Sequence, residues 1–545
     1  MSITTDGKIS HTSQSTEFHE RVKTNQQKLT TELKSHYDFI VCGSGSAGSA
    51  VAGRLAENPN VNVLLVEAGG SDDVPSVMDA HMWHHNLGSE LDWGFKSLPN
   101  ASLNGRSVTL NMGKVLGGGS SINLMAWARG HKNDWDFFAN EAGDAAWNYE
   151  SVLKVYHRIE EWGGAPDPKY RGTSGPVFVQ PAPDPSPIVP ATLEAARSVG
   201  IPVFENQNGR MMEGDGGASV LDLLLRDGKR KSIFRAYVYP LMDRPNLTVL
   251  TDALVTRLTL ERARVTGVEI AHAGQILSIA ANLEVVLSLG AFHTPKVLMQ
   301  SGIGNEAQLE RFGIPTVQHL PGVGQNLQDH PGFGCMWEYR QPLAPRNNGS
   351  EATLFWKSDP ALDAPDLQIC QAEIPFCSPD SRAQFDPPAH AWTFYGNVAQ
   401  PKSRGRIRLT GPNPEDPIEI ESNVLLHPDD MKVAVACVEL CREIAHSVPL
   451  RNYVRREVMP GSLKGAGLES FIRNEVGTYR HQTSTAKMGL DAMSAVDGNL
   501  KVYGIDRLRI ADASIMPRVT IGNTMAPCVV IGERAAEILK TEHNL

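Results

Sequence analysis

The feature that most constrains the fold is a glycine-rich turn between two apolar runs near the start of the chain. The run Tyr37–Cys42 leads into the segment 43–48, which reads GSGSAG, and small residues follow it. A second apolar run, Val63–Val66, then ends at Glu67. A strand, a tight turn, a helix, a second strand and an acid in this order are typical of a dinucleotide-binding βαβ unit. The pattern predicts a Rossmann-like α/β core.

Each glycine of this turn, and the acid that follows the second strand, has a physical role. Gly43 permits the tight turn, Gly45 lets the backbone approach a pyrophosphate, and Gly48 lets the helix lie close to the strand. The N–H groups of the helix N-terminus face the phosphates. Glu67 follows Gly48 at the distance where a carboxylate accepts hydrogen bonds from a ribose hydroxyl. We therefore expect dinucleotide binding here rather than a simple glycine-rich turn.

Length and composition exclude several classes of protein. A chain of 545 residues is too long for one compact core, so we expect two or more lobes. The formal charge of −10 argues against nucleic acid or an anionic membrane as a main partner. Seven cysteines without paired metal-binding spacings indicate buried free thiols in a reducing compartment and no metal site. Without a transmembrane-length run or a secretion signal, we expect a cytoplasmic protein with no integral membrane segment.

The pattern along the chain predicts two domains after a polar arm of residues 1–35, which we expect to be disordered or loosely docked, although 19–33 can form a helix. Alternating runs between 247 and 280 predict a small antiparallel sheet, and a separate buried strand follows near 284–290. The overall class is α/β, or α+β over the whole chain, with a second, β-rich domain capped by helices. The predicted bounds are 36–165, 225–330 and 470–545 for the nucleotide domain, and 166–224 and 331–469 for the substrate domain.

Two further segments carry chemistry. Residues 113–123 read GKVLGGGSSIN, and glycines this dense imply close approach of the backbone to a ligand or to another chain segment. Near the C-terminus, His481 lies among small hydroxyl residues and suits a proton acceptor, because imidazole titrates near neutral pH. Taken alone, such a histidine is more often structural. Asn523 lies in a Gly-Asn-Thr segment that is also an ordinary turn before a helix.

Together these motifs resemble the glucose–methanol–choline (GMC) flavoprotein oxidoreductases over residues 37–539. The matching blocks are long and follow the order found in that family. They are the 43–48 fingerprint with Glu67, the segment 113–123 with Gly130, the segments 290–304 and 321–330, and the blocks around His481, Asp512 and Asn523.

The resemblance implies an FAD cofactor, with the pyrophosphate on the first glycines, the flavin against the second glycine cluster, and Asn523 beside the isoalloxazine. Some relatives attach the flavin through a histidine in the second block, where this chain has Ile122, so the resemblance implies non-covalent FAD. The cofactor-binding residues that it predicts are Gly43, Gly45, Ser46, Ala47, Gly48, Glu67, Gly113, Gly117, Gly118, Ser121, Asn123, Leu124, Met125, Ala126, Val255, Asp512, Ala513, Asn523, Thr524 and Met525.

The reaction implied by the resemblance is oxidation of a small-molecule alcohol to an aldehyde or ketone. His481 would accept the hydroxyl proton, hydride would pass to flavin N5, and Asn523 would orient the same oxygen. The expected electron acceptor is O2, which gives H2O2. The alternatives are a dehydrogenase that uses a quinone or another carrier, and a hydroxynitrile lyase in which the flavin is not reduced. Many relatives have proline after the catalytic histidine, where this chain has Gln482.

The substrate is less constrained by the sequence. Glu338 resembles the carboxylate that holds the trimethylammonium group in choline oxidases, but a surface residue paired with a neighbouring arginine fits the pattern as well. Aromatic residues of the second domain predict either an aryl-alcohol pocket or an ordinary core: Trp356, Phe376, Trp392, Phe394 and Tyr395. The candidate substrate residues are Glu338, Trp392, Phe394 and Gln482. The identity of the alcohol and the oligomeric state are not determined by the sequence.

Overall fold

The computed structural model describes residues 6–545, with side chains from residue 16 onward. The α-helices within this range are α1 (Asp6–Thr31), α2 (Ser46–Ala56), α3 (Pro75–Met78), α4 (Gly119–Ile122), α5 (Lys132–Ala142), α6 (Tyr149–Ile159), α7 (Ile188–Ser198), α8 (Ile233–Tyr237), α9 (Gly290–Gln300), α10 (Glu306–Arg311), α11 (Pro379–Phe385), α12 (Pro428–Ala445), α13 (Gly465–Glu475) and α14 (Met525–Glu542).

The strands of the same range are β1 (His36–Cys42), β2 (Val63–Val66), β3 (Phe95–Lys96), β4 (Thr109–Leu110), β5 (Glu160–Trp162), β6 (Val177–Pro181), β7 (Gly217–Val220), β8 (Asp222–Leu223), β9 (Leu225–Arg226), β10 (Lys229–Arg230), β11 (Leu247–Leu250), β12 (Ala253–Glu261), β13 (Arg264–His272), β14 (Gln275–Leu287), β15 (Ile303–Gly304), β16 (Gln318–His319), β17 (Pro331–Tyr339), β18 (Ser350–Trp356), β19 (Leu367–Ala372), β20 (Ala391–Val398), β21 (Arg406–Leu409), β22 (Ile418–Glu421), β23 (Val454–Met459), β24 (Gly477–Thr478) and β25 (Leu508–Ile510).

The first sheet has a parallel core that confirms the predicted Rossmann-like unit. Strands β11, β2, β1 and β14 lie side by side in this order, β25 pairs with β14, and all of these pairings are parallel. Phe39, Ile40 and Val41 are fully buried, as expected for a parallel strand covered on both faces. In register, Cys42 is opposite both Val66 and Leu287, so β1, β2 and β14 end at the same edge of the sheet.

The region between residues 247 and 287 differs in part from the prediction. The hairpins β12–β13 and β13–β14 are antiparallel, as expected, but β11 pairs in parallel with β2 and belongs to the core of the sheet. The predicted separate strands at 276–280 and 284–287 are one continuous strand, β14. Its first half pairs with β13 and its second half with β1 and β25. The periodicity of apolar residues shows that a segment is a strand, but it does not show which neighbouring strand each half pairs with.

The N-terminal arm is also more ordered than its composition predicts, apart from residues 1–5, which lie outside the described residues. Residues 6–31 form the helix α1, and side chains of its second half dock on β11 at the edge of the first sheet. Gln26 donates from Nε2 to the carbonyls of Met242 and Leu247 at 2.7 and 2.9 Å, and its Oε1 accepts from the Val249 amide at 2.9 Å. Polar side chains thus satisfy a sheet edge that would otherwise be open, an interaction that low hydropathy does not reveal.

The second sheet is antiparallel, with the order β23, β17, β20, β19, β18, β7, and with β24 on β17. Helix α12 covers one of its faces: a Cβ on Gly396 would lie only 2.6 Å from Cys437 Sγ. The opposite face, which carries Tyr395, turns toward the carboxyl edge of the first sheet. A cavity of about 270 Å³ lies between this face of the second sheet and the carboxyl edge of the first sheet.

All seven cysteines fall within the described residues, and each is a free thiol. None of the helices in residues 6–545 combines the length and the apolar composition that a bilayer-crossing helix requires.

Candidate active site

The carboxyl edge of the first sheet forms a cradle of backbone atoms. Gly43 has a left-handed φ of +97°, and a Cβ there would lie 2.3 Å from the carbonyl oxygen of Ser288. A Cβ on Gly48 would lie 2.0 Å from the carbonyl oxygen of Gly43. At Gly45, by contrast, a Cβ would meet no protein atom within 4 Å and would project into the cavity. The first two glycines are thus required by the protein itself, and Gly45 leaves room for a ligand.

Helix α2 starts at this cradle. Its N-cap is Gly45, no side chain caps it, and its first turn contains no acid. The N–H groups of the first turn therefore lack intrahelical partners and carry the positive end of the helix dipole. This arrangement suits a phosphate group that approaches the backbone at Gly45.

Glu67 follows β2 and is held by the same turn. Its Oε2 accepts hydrogen bonds from the Ser44 amide at 3.0 Å and the Ser44 hydroxyl at 2.6 Å, and its Oε1 accepts from the Gly69 amide at 2.9 Å. Burial raises the pKa of Glu67, and these hydrogen bonds oppose the rise. The carboxylate lines the cavity and retains lone pairs that can accept from hydroxyl groups.

The second glycine cluster contacts the first. Gly117 and Gly118 have left-handed φ values of +88° and +52°, and the Gly117 amide donates to Ser44 Oγ at 3.1 Å. A Cβ on Gly118 would lie 2.9 Å from Gly45 Cα. The cluster therefore approaches another chain segment, which is one of the two predicted reasons for its glycines, and Gly118 also lines the cavity.

The C-terminal part closes the cradle through Asp512, which follows β25. Its Oδ2 accepts from the Gly290 amide at 2.9 Å and from the Thr294 hydroxyl at 2.6 Å, and its Oδ1 accepts from the Ser514 amide at 2.8 Å. These bonds tie the end of β25 to the start of α9. Burial raises the pKa of Asp512, and the hydrogen bonds act in the opposite direction.

Most of the predicted cofactor residues line the cavity. Gly48, Gly117, Ser121 and Met125 do not; they shape the turns behind it, as when the Ser121 hydroxyl donates to the Leu116 carbonyl at 2.6 Å. The lining residues among the predicted set are Gly43, Gly45, Ser46, Ala47, Glu67, Gly113, Gly118, Asn123, Leu124, Ala126, Val255, Asp512, Ala513, Asn523, Thr524 and Met525.

Two imidazoles meet beside the cavity. His481 Nδ1 lies 2.7 Å from His330 Nδ1, and His330 Nε2 lies 3.1 Å from the carbonyl oxygen of Ala399. Because a carbonyl only accepts, neutral His330 carries its proton on Nε2 and offers Nδ1 as an acceptor. His481 then donates from Nδ1, which leaves the lone pair on its Nε2.

Burial keeps both rings neutral. It lowers the pKa of His330 to about 3. It also lowers the pKa of His481 well below the ordinary value, and the neighbouring His330 and Arg480 contribute to the shift. At neutral pH His481 is therefore an unprotonated base.

A chain of amides fixes the orientation of Asn523. Asn397 Nδ2 donates to Gln368 Oε1 at 3.0 Å, and Gln368 Nε2 donates to Asn523 Oδ1 at 3.1 Å. The Asn523 Nδ2 group then lies 3.3 Å from His481 Nε2. The site thus presents one acceptor and one donor side by side, which suits a hydroxyl group, because a hydroxyl donates and accepts.

Asp329 positions the backbone of the base. Its Oδ1 accepts from the His481 amide at 2.9 Å, and its Oδ2 accepts from Gln482 Nε2 at 3.1 Å and from the Thr478 hydroxyl. Burial raises the pKa of Asp329 to about 6 despite these bonds. The backbone of this segment is strained at Arg480, which adopts a left-handed φ of +69°. The hydrogen bonds to Asp329 stabilise the segment in this conformation.

Of the four predicted substrate residues, one lines the cavity and three do not. Gln482 lines the cavity. Glu338 does not: its carboxylate is ion-paired with Arg455 and Arg456 at 2.7 Å each, which is the alternative role that the sequence also allowed. Its two oxygens are therefore occupied away from the cavity.

Trp392 and Phe394 also lie away from the cavity. Both pack against Trp337, with ring centroids 4.9 and 5.5 Å from it, on the face of the second sheet that α12 covers. Because side chains alternate along a strand, Tyr395 points the other way and lines the cavity. Phe376 also lines it, whereas Trp356 does not.

Sequence reasoning assigned no role to several residues that the structure brings to the site. A signal existed for His330, which ends the matching block 321–330, and for Tyr479 and Arg480, which directly precede His481. No sequence signal identifies Gln368, which the pairing of β19 with β20 places opposite Asn397 and which donates to Asn523 across the interface with the segment before α14.

The architecture and the site agree with a known family of enzymes. The GMC oxidoreductase family models match residues 37–332 and 401–532 of the chain. The chain is a GMC oxidoreductase. It is therefore an FAD-dependent alcohol oxidoreductase, as the motifs implied.

Named relatives of this GMC oxidoreductase cover almost its whole length. The oxygen-dependent choline dehydrogenases of Sinorhizobium medicae and Rhizobium meliloti are 36% and 35% identical, over 92% of this chain and 95% of each relative. Among solved structures, pyridoxine 4-oxidase from Mesorbium loti is 31% identical with a TM-score of 0.88, covering 93% of this chain and 99% of its own. A formate oxidase is 26% identical with a TM-score of 0.84, covering 94% and 99%.

The cavity of this GMC oxidoreductase fits FAD on structural grounds. An open path at Gly45, an uncapped helix N-terminus at α2 and a hydroxyl acceptor at Glu67 form one continuous cradle. Diphosphate and ribose groups need these features. The second glycine cluster and the segment 523–525 line the same cavity beyond them, next to His481.

Proposed function

We propose that this enzyme oxidises an alcohol to an aldehyde or ketone with His481 as the proton acceptor, with non-covalently bound FAD, and with O2 as the final electron acceptor. The observation that carries the proposal is the His330–His481–Asn523 chain, which leaves one lone pair, on His481 Nε2, beside one amide donor. Bound FAD supplies the group that accepts the hydride from the carbinol carbon.

The side chains act on the hydroxyl oxygen of the substrate. The hydroxyl donates to His481 Nε2 while the amide of Asn523 donates to the same oxygen, so the carbinol carbon is held in one orientation. His481 cannot rotate away from this task, because its Nδ1 proton is held by His330 at 2.7 Å and its backbone amide by Asp329 at 2.9 Å. Asn523 is held in turn by Gln368.

The lowered pKa of His481 fixes the protonation state in which it meets the substrate. At physiological pH the ring is neutral, so its Nε2 accepts the hydroxyl proton as the C–H bond breaks. The donor at Asn523 stabilises the partial negative charge on the oxygen as its proton leaves.

The finer parts of the proposal have separate support. Ile122 lines the cavity in the second glycine block, and a hydrocarbon side chain cannot form a bond to a flavin, which supports non-covalent attachment. O2 as the acceptor is supported by the names of the relatives, an oxygen-dependent dehydrogenase and two oxidases.

The test is the visible absorbance of the purified holoenzyme, recorded without oxygen while a panel of primary and secondary alcohols is added. We expect at least one alcohol to bleach the flavin, and readmitted air to restore the colour within seconds. Acid precipitation should release all of the flavin into the supernatant. Slow recovery in air would indicate a carrier other than O2, and flavin retained in the pellet would contradict non-covalent attachment.

The variant that tests the base is His481→Ala, which leaves the residues of the FAD cradle unchanged. It should retain bound FAD and lose flavin reduction by orders of magnitude. Fast reduction in this variant would refute His481 as the base. If no alcohol bleaches the wild-type flavin, the redox function itself fails and a lyase becomes the better explanation.

A further inference from the structure

The charges around the cavity are unequal at its two ends. Two carboxylates line it, Glu67 and Asp512, and both belong to the cofactor cradle, where backbone amides and hydroxyls hold them. Beyond His481, the described lining residues include no acid. They do include a guanidinium, that of Arg480, the one Lys or Arg among the lining residues that the structure describes.

Neutral acceptors hold the Arg480 guanidinium in position and leave its positive charge unpaired. Its Nε donates to Asn111 Oδ1 at 3.1 Å, and Asn111 Nδ2 donates to the buried carboxylate of Asp92 at 2.5 Å. Its Nη1 donates to the Thr478 carbonyl at 3.4 Å, and the Tyr395 hydroxyl is a further neutral partner of the guanidinium. The positive charge of Arg480 lowers the pKa of nearby Asp329, but within the described residues no carboxylate lies at ion-pair distance from the guanidinium. A cavity cation without an anionic partner is a site for an anionic ligand.

An aromatic row joins this cation to the base. The Tyr479 ring lies 5.4 Å from His481 and stacks on Tyr395 at 4.8 Å; Tyr395 contacts Phe376 at 5.0 Å. The Arg480 guanidinium carbon lies 5.8 Å from the Phe376 ring. A flat, apolar substrate body packs favourably on such a row, with its hydroxyl at His481.

From these observations we propose that the substrate is an aromatic alcohol that carries a carboxylate, and that Arg480 binds this carboxylate. The proposal rests on the alcohol oxidation proposed above and narrows its substrate class. A cationic alcohol is disfavoured, because it would meet Arg480 at the end of the cavity away from Glu67 and Asp512, and Glu338 is occupied by Arg455 and Arg456.

The experiment compares 4-(hydroxymethyl)benzoate with its neutral methyl ester and with choline, as kcat/KM and as the rate of anaerobic flavin reduction. A charge-assisted hydrogen bond in a desolvated site corresponds to a preference of roughly 10- to 100-fold. We expect the benzoate to exceed the ester by this factor, and choline to be the poorest of the three. In Arg480→Met the ratio of benzoate to ester should fall to near one, and Arg480→Lys should restore part of it.

A binding measurement separates this inference from the proposed function. Benzoate and benzamide, which carry no alcohol, are titrated against the flavin absorbance of the holoenzyme. Wild type should bind benzoate at least roughly 10-fold more tightly than benzamide, and Arg480→Met should not. Arg455→Met, which removes a surface arginine paired with Glu338, is the matched control and should keep the preference.

Each outcome decides one of the two proposals. Preferential benzoate binding without flavin reduction by any alcohol would support the anion site and refute the oxidation. Flavin reduction by alcohols with equal rates for benzoate and ester would refute the anion site and leave the oxidation intact. A loss in Arg480→Met that is the same for both substrates would also refute it, because the guanidinium would then act on the flavin rather than on the substrate.

Discussion

Replacing His330 tests the geometry of the base without touching it. In His330→Leu the Nδ1 proton of His481 loses its acceptor at 2.7 Å, and the ring is free to place its proton on Nε2, where it cannot serve as a base. An unsatisfied buried donor costs about 1–3 kcal/mol. If this cost falls on the reactive tautomer, flavin reduction slows by roughly 5- to 150-fold.

The assay is stopped-flow flavin reduction under anaerobic conditions, with the alcohol in both protiated and carbinol-deuterated form. We expect the reduction rate to fall while FAD remains bound, because His330 does not line the cavity. The matched control is His330→Asn, whose Oδ1 can occupy the position of the histidine Nδ1 and accept the same proton. It should recover most of the lost rate.

Two results would refute the reasoning. If His330→Leu reduces the flavin as fast as wild type, the imidazole pair does not set the tautomer of His481. If Leu and Asn at this position slow the reaction equally, the loss comes from packing, and the acceptor has no special role. Circular dichroism and FAD content must match wild type for either comparison to count.

Further predictions concern the base, the cradle and the acid stability. His481→Ala should lose flavin reduction by orders of magnitude with FAD still bound, as measured by absorbance. Gly48→Ala places a Cβ 2.0 Å from the Gly43 carbonyl oxygen and should lower both the Tm and the FAD content; Gly45→Ala meets no protein atom, so it should keep the apoprotein Tm and lose FAD affinity. A Gly45 variant with wild-type FAD affinity would contradict the cradle. Burial lowers the pKa of His330 from 6.5 to about 3, so between these two pH values the unfolded chain binds up to one proton more than the folded chain. His330 therefore removes roughly 2 kcal/mol of stability as the pH falls from 7 to 5. In urea unfolding, His330→Asn should lose correspondingly less stability over this interval; an unchanged difference would show that His330 is not buried as a neutral ring.

The local motifs were predictable because their geometry is local. The turn at Gly43, the helix start at Ser46 and the acid at Glu67 belong to one short βαβ unit, in which spacing along the chain fixes position in space. Their partners were not predictable in the same way. The Asp512 and Ser288 segments reach the same edge only because β25 and β14 pair in parallel with the core of the sheet.

Sequence patterns failed where both faces of a strand are buried. Strand β20 is buried along almost its whole length, so hydropathy does not alternate and cannot show which face meets the cavity. A shift of one residue exchanges the two faces, and the aromatic candidates at 392 and 394 fall on the side of α12. Strand β17 is also buried along almost its whole length, so the sequence named Glu338 as a candidate without showing whether it faces the cavity.

The sequence by itself determined the family and predicted the cofactor cradle and the pair His481 and Asn523, because these predictions depend on short motifs with their own local geometry or on blocks that resemble a known family. Only the tertiary structure decided how the base is held and what the cavity offers a substrate. His330 and His481 are 151 positions apart and meet at 2.7 Å, and Arg480 lines the cavity with no carboxylate of the described residues at ion-pair distance. Hydrogen-bond partners and the absence of a countercharge are properties of the packed chain, and residue order alone does not encode them in readable form.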